Sequence, residues 1–135
     1  MKPTEPSPEM LLIMAREARL NASAAYSNFK VGAALLSEDG RIFTGCNVEN
    51  ATFGLTVCSE RVALFKAISE GARKFTKIAV VADTEDPTPP CGACRQLLWE
   101  FGGDLEIILG NLTEEKGRHQ LRDLFPLPFD ARLLT

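Results

Sequence analysis

Apolar residues recur at helical spacing through "PEMLLIMAREARLNASAA" and predict a first helix from Pro8 to about Ala25. The period changes in "KVGAALLSEDGRIFTGCNVEN". That stretch predicts a hairpin: a strand from Val31 to Leu36, a turn at Glu38-Asp39-Gly40, and a second strand from Arg41 to Val48. "CSERVALFKAISEG" reads as helix again and stops at Gly71, a residue suited to a left-handed cap. "KIAVVAD" is short and continuously apolar, the pattern of a strand buried on both faces. "CGACRQLLWEFG" predicts a third helix ended by Gly102-Gly103, and "LEIILGN" a further buried strand. "LRDLFPLPFDARLL" predicts a short helical turn followed by irregular structure. Helices placed between apolar strands predict an α/β fold, a three-layer α/β/α sandwich on a mixed sheet.

Length and composition narrow what such a sandwich can do. A chain of 135 residues predicts one domain over 1–135, with a core that needs no disulfide staples. Residues 1–8 read as a loose tail. There is no internal repeat and no low-complexity block. The formal charge of -3 argues against a protein that grips a nucleic-acid backbone, which needs a basic face. No stretch is long enough to span a membrane. The start "MKPTEPSPEM" has no apolar core of a secretory signal, so a cytoplasmic protein is expected. In a reducing compartment, four cysteines are expected to be metal ligands, catalytic groups or core residues rather than disulfides.

The cysteines fall in an ordered pattern. Cys91 and Cys94 are spaced i, i+3 at the start of a helix, behind the stiff pair Pro89-Pro90. Cys58 opens the preceding helix, with Glu60 two positions later. A helix N-terminus favours thiolate over thiol, and thiolates are soft ligands for zinc. Three protein ligands leave one position for water, the arrangement of a catalytic zinc site. Cys46 lies among apolar neighbours and is expected to be a small core residue. His119, the only histidine, is expected at the solvated surface. A lone C-x-x-C also fits a redox pair or half of a structural zinc clip. Neither explains Cys58 with Glu60, nor Pro90 directly before Cys91. C-x-E…P-C-x-x-C as a whole is the zinc-deaminase signature, with cysteine in place of the first histidine.

On these residues the chain resembles the cytidine deaminases of the small, homotetrameric, three-cysteine class. The matching segments are "YSNFKVGAALL", "GCNVENATFGLTVCSERVALFKAISEG", "PPCGACRQLLWEF" and "LFPLPF". They span most of the chain from Tyr26 to Phe129. The resemblance implies a mixed five-stranded sheet and one Zn²⁺ per chain on Cys58, Cys91 and Cys94. It implies hydrolytic deamination of cytidine and deoxycytidine, with Glu60 carrying protons from water to ring N3 and to the departing amine. Arg61, three residues after Cys58, is implied to draw charge off the sulfurs; Arg95 is a weaker candidate, expected to point to solvent. Asn47 and Glu49 match residues that hold the ribose hydroxyls, and Phe29 an aromatic that packs on the pyrimidine. The Ser59 backbone N–H matches the group that binds the base carbonyl. Phe53 and Phe129 match aromatics that reach a neighbouring subunit's site.

The chain departs from the family pattern at three places. Asn28 stands where proline is frequent, Ser59 where alanine is usual, and Phe53 where tyrosine is usual. None is a zinc ligand or Glu60, so they bear on substrate breadth. A deaminase of a modified or antibiotic cytosine nucleoside is the nearby alternative. A zinc-stabilised binding module is the non-enzymatic one.

Overall fold

The computed structural model describes residues 5–134. Four α-helices and five strands follow in the order α1 (Pro8–Arg19), β1 (Val31–Ser37), β2 (Ile42–Cys46), α2 (Ser59–Ser69), β3 (Phe75–Ala82), α3 (Gly92–Gly102), β4 (Glu106–Gly110), β5 (Glu115–Gln120) and α4 (Leu121–Leu124). The strands form one sheet in the order β2-β1-β3-β4-β5. β1 pairs antiparallel with β2 and with β3. β3 and β4 run parallel, joined across α3, and β5 closes the far edge antiparallel to β4. Parallel neighbours need a crossover of this kind, and it sets α3 against the sheet.

Alternation along the strands divides the core in two. Ala34, Leu36, Ala79, Val81 and Ile108 face one side and pack on Leu11, Leu12 and Ala15 of α1. Ala33, Leu35, Ile78, Val80, Ile107 and Leu109 face the other and pack on Ala63, Leu64 and Ala67 of α2 and Leu98 of α3. One helix on one face and two on the other make the three-layer sandwich that the pattern predicts. At Gly32 the close approach of α1 requires glycine: a Cβ there would meet the Ala15 carbonyl oxygen at 1.9 Å. Glycine likewise ends both site helices, Gly71 at φ 96° and Gly103 at φ 67°, where other residues are strained.

Three elements differ from the sequence reading, two in their bounds and one in being a strand at all. The first helix ends at Arg19 rather than Ala25, because Ser23 bridges to Val48 and takes the chain out of the helix. The second strand is shorter, Ile42–Cys46. β5, "EKGRHQ", has no apolar alternation and was not among the predicted strands. It is an edge strand, held by backbone pairing to β4. Of the expected tail, residues 1–4 lie outside the described residues. Ser7 is the N-cap of α1, accepting from the Met10 N–H at 3.1 Å, and Glu5 pairs with Lys77 at 3.6 Å.

Candidate active site

Two helix starts meet at one point. Cys58 is the N-cap of α2 and Cys91 the N-cap of α3, and neither sulfur caps its own helix. Cys94 follows one turn into α3 and is fully buried. The three sulfurs lie within 4.8 Å of one another, and among the described residues they form the one such group of potential ligands. Cys58 Sγ is 3.8 Å from Cys91 Sγ, which is 3.4 Å from Cys94 Sγ.

Three thiols packed this closely cannot all ionise without a cation. Hydrogen bonding from Cys94 and from Arg61 holds the Cys58 thiol down, to about 5. Its bond to Cys58, together with burial, pushes the Cys94 thiol up. One thiolate forms readily and its neighbour resists. The donor set fits zinc: three sulfurs from two rigid helix starts, on a side open to a pocket. Cys46, at the end of β2, and His119, exposed on β5, take no part in the cluster.

Glu60 stands beside the cluster. It is only 4% exposed although it belongs to the first turn of a helix. Burial raises its carboxyl above the ordinary value, and a hydrogen bond from the Ser59 hydroxyl to Oε1 pulls it partly back. Arg61 Nη2 donates to Cys58 Sγ at 3.6 Å and to the Thr56 carbonyl at 3.1 Å. Arg61 Nε is buried without a partner. Arg95 turns away from the sulfurs but not to solvent. Its Nε donates to the Pro90 carbonyl at 2.8 Å and its Nη1 to the Leu124 carbonyl at 2.6 Å. It fixes the loop that delivers Cys91.

In front of the cluster lies a pocket of about 190 Å³. Phe29, Asn47, Glu49, Cys58, Ser59, Glu60 and Cys91 all line it, together with Val31, Thr56, Val80, Thr88 and Pro89. Isolated bridges from Val48 to Ser23 and to Val57 tie the "CNVEN" segment to the start of α2. Asn47 is held by the segment opposite: Oδ1 accepts from the Val31 N–H at 2.9 Å and Nδ2 donates to the Phe29 carbonyl at 2.8 Å. Glu49 accepts from the Tyr26 and Ser27 N–H groups at 3.1 and 3.0 Å and from the Ser27 hydroxyl. Those bonds, led by the Ser27 hydroxyl, lower its pKa. Both side chains keep unused acceptor capacity, and Asn47 one N–H, for a ligand.

Phe53 and Phe129 do not line this pocket. Phe53 is 70% exposed and packs edge-on to Tyr26 at 5.5 Å. Phe129 is 56% exposed, and its carbonyl accepts from Gln96 Nε2 at 2.7 Å. Thr88 was not singled out in the sequence; its only signal is its place just before Pro89-Pro90-Cys91. The Tyr26–Phe29 loop gave only Phe29, although Ser27 anchors it. A larger, shallower groove of about 530 Å³ lies beside the turn between β1 and β2. Its arginines are engaged with backbone carbonyls: Arg41 with Glu70, Arg73 with Ile68 and Ala72. It holds no arrangement of groups suited to chemistry, so the smaller pocket is the site.

A mixed five-stranded sheet that sets a three-sulfur zinc site and a buried carboxylate at two helix starts defines a zinc-hydrolase architecture. The family model for the cytidine and deoxycytidylate deaminase zinc-binding region matches residues 6–110, and the chain belongs to that family. It is 51% identical over 124 residues to a cytidine deaminase of Halalkalibacterium halodurans, covering 91% of this chain and 94% of that one. It is 48% identical over 128 residues to a cytidine deaminase of Sporosarcina psychrophila, covering 94% of each. The solved structure of cytidine deaminase from Burkholderia pseudomallei superposes with a TM-score of 0.89 at 48% identity, covering 92% of this chain and 100% of that chain. The family's zinc-binding region contains the three-cysteine cluster, one zinc site per chain. No helix among the described residues is long and apolar enough to cross a membrane.

Proposed function

We propose that this chain hydrolyses cytidine and deoxycytidine to uridine and deoxyuridine, with release of ammonia. The observation that carries the reading is Glu60, a carboxylate buried in the pocket wall beside three clustered sulfurs. Water supplies the new oxygen at C4 of the base, and the C4–N bond to the amine breaks. Zinc held by Cys58, Cys91 and Cys94 supplies the Lewis acidity that brings the pKa of a water down toward about 7. Glu60 takes the proton that this water gives up and passes it to ring N3. It then takes the second proton from the new C4 hydroxyl and delivers it to the amine, which leaves as ammonia as the C4 carbonyl forms. One carboxylate serves every transfer because the donor and acceptor atoms lie close together. A pKa raised by burial makes the protonated state of Glu60 easier to reach.

The remaining groups bind and orient. The Ser59 N–H, in the first turn of α2 at the pocket wall, takes the base carbonyl. Asn47 and Glu49 hold the ribose hydroxyls, and Phe29 packs on the pyrimidine. Arg61 offsets the charge of about -1 that three thiolates leave on Zn²⁺. Phe53 and Phe129, both exposed on the single chain, complete the site of a neighbouring subunit in a homotetramer. The protein acts in the cytoplasm, in pyrimidine salvage.

The test is an ultraviolet assay for loss of cytidine absorbance, coupled to ammonia release, on protein loaded with one zinc per chain. Turnover of cytidine and deoxycytidine is expected, and a panel of 5- and N4-substituted cytidines maps the breadth. Full zinc loading with no turnover of any cytosine nucleoside would instead identify a zinc-stabilised binding module.

A further inference from the structure

The hydroxyl of Ser59 is fully buried and donates to Glu60 Oε1. Adjacent residues of a helix do not ordinarily face one another, so this contact requires both side chains to turn into the pocket. Both line it. The Cys94 thiol also lowers the pKa of Glu60. A zinc-ligating Cys94 has no proton to give. In the loaded site the Ser59 hydroxyl is therefore the side-chain donor that remains on this carboxylate.

We propose that Ser59 is a positioning residue: its hydroxyl fixes the plane of the Glu60 carboxylate, holding Oε1 and leaving Oε2 to carry protons. The proposal rests on the reading of Glu60 as the proton carrier. An alanine at position 59 keeps the backbone N–H but leaves the buried carboxylate free to rotate. A reacting group that loses its orientation loses rate rather than affinity.

The experiment compares wild type and Ser59→Ala, both zinc-loaded, by steady-state kinetics on cytidine and by high-resolution crystallography. The expected result is unchanged zinc content, a KM within about twofold and a kcat lower by about tenfold. The crystals are expected to show one Glu60 conformer bonded to Ser59 Oγ in wild type and a split carboxylate in the variant. An unchanged kcat overturns the proposal. So does a raised KM alone, which would put the hydroxyl on the base instead. A wild-type crystal with Ser59 Oγ beyond hydrogen-bond reach of Glu60 overturns it without reference to turnover. Absence of turnover in wild type would reject the deaminase reading, and the crystallographic comparison would still decide the role of Ser59.

Discussion

Arg61 meets the cluster and the chain at once, through one nitrogen that donates both to Cys58 Sγ and to the Thr56 carbonyl. The second bond fixes the guanidinium against the loop that leads into α2, so its charge stays on the sulfur. Its Nε is buried and unpartnered, a cost that the attraction to the thiolate offsets. Removing the group leaves the sulfurs with their full negative charge. Arg61→Ala is expected to weaken zinc retention by about 10–100-fold and to lower kcat as well. Arg61→Lys should be milder but still impaired, since a lysine ammonium keeps the charge but lacks the fixed plane of the guanidinium. Metal content after dialysis against a graded chelator, measured beside kcat, checks both. Retention and kcat equal to wild type in Arg61→Ala would leave the charge-offsetting role without support.

Elements turn these residues into a site by ending where they do. α2 and α3 both begin at a cysteine N-cap, so two helix starts present thiolate-favouring fields to one point. This part was legible in the sequence, because cap position, C-x-x-C spacing and the prolines are all local. The Cys58–Cys91 approach is not local, and only the sheet order brings it about. The polar edge strand β5 was not legible either: its side chains carry no alternation, and what holds it is pairing that no single segment encodes. The over-long first helix has the same origin, since "NASAA" is compatible with helix until Ser23 finds Val48.

The C-terminal segment adds a pH-sensitive attachment at this scale. Asp130 accepts from Trp99 Nε1 at 3.1 Å and pairs with Arg132 at 2.8 Å. The Arg132 bond first, then that from Trp99, holds its carboxyl down, to about 2. A pKa lowered in the folded state stabilises above the unfolded value of 3.8 and is lost as pH falls toward 2. Wild type is therefore expected to melt above Asp130→Asn at neutral pH, with the gap in Tm closing below about pH 4. Trp99 is the only tryptophan, so its fluorescence reports the same attachment. A gap constant from pH 7 to 3 would contradict it.

For the whole molecule, the apolar surface is the informative feature. Phe53, Leu127 and Phe129 are exposed by 70, 99 and 56%, on a loop and on a proline-stiffened tail that the chain's own core does not use. Covering a phenylalanine contributes about 1.5–3 kcal/mol, enough for such positions to decide assembly. The proposed tetramer predicts a mass by light scattering near four times the 14.8 kDa chain, and a raised KM in Phe129→Ala with zinc content intact. A monomer fully active at high dilution would show that each site is complete within one chain.

Everything at the larger scales serves one group, the carboxylate of Glu60, which is buried beside the zinc ligands without being one of them. Glu60→Gln keeps its size and its place in α2, so folding and zinc content should match wild type. Its loss as a proton carrier is expected to lower kcat on cytidine by at least about 10²–10⁴. Zinc content and cytidine turnover measured on the same preparation decide the matter. One zinc per chain with turnover reduced to that extent is the predicted result. One zinc per chain with turnover near that of wild type would contradict it.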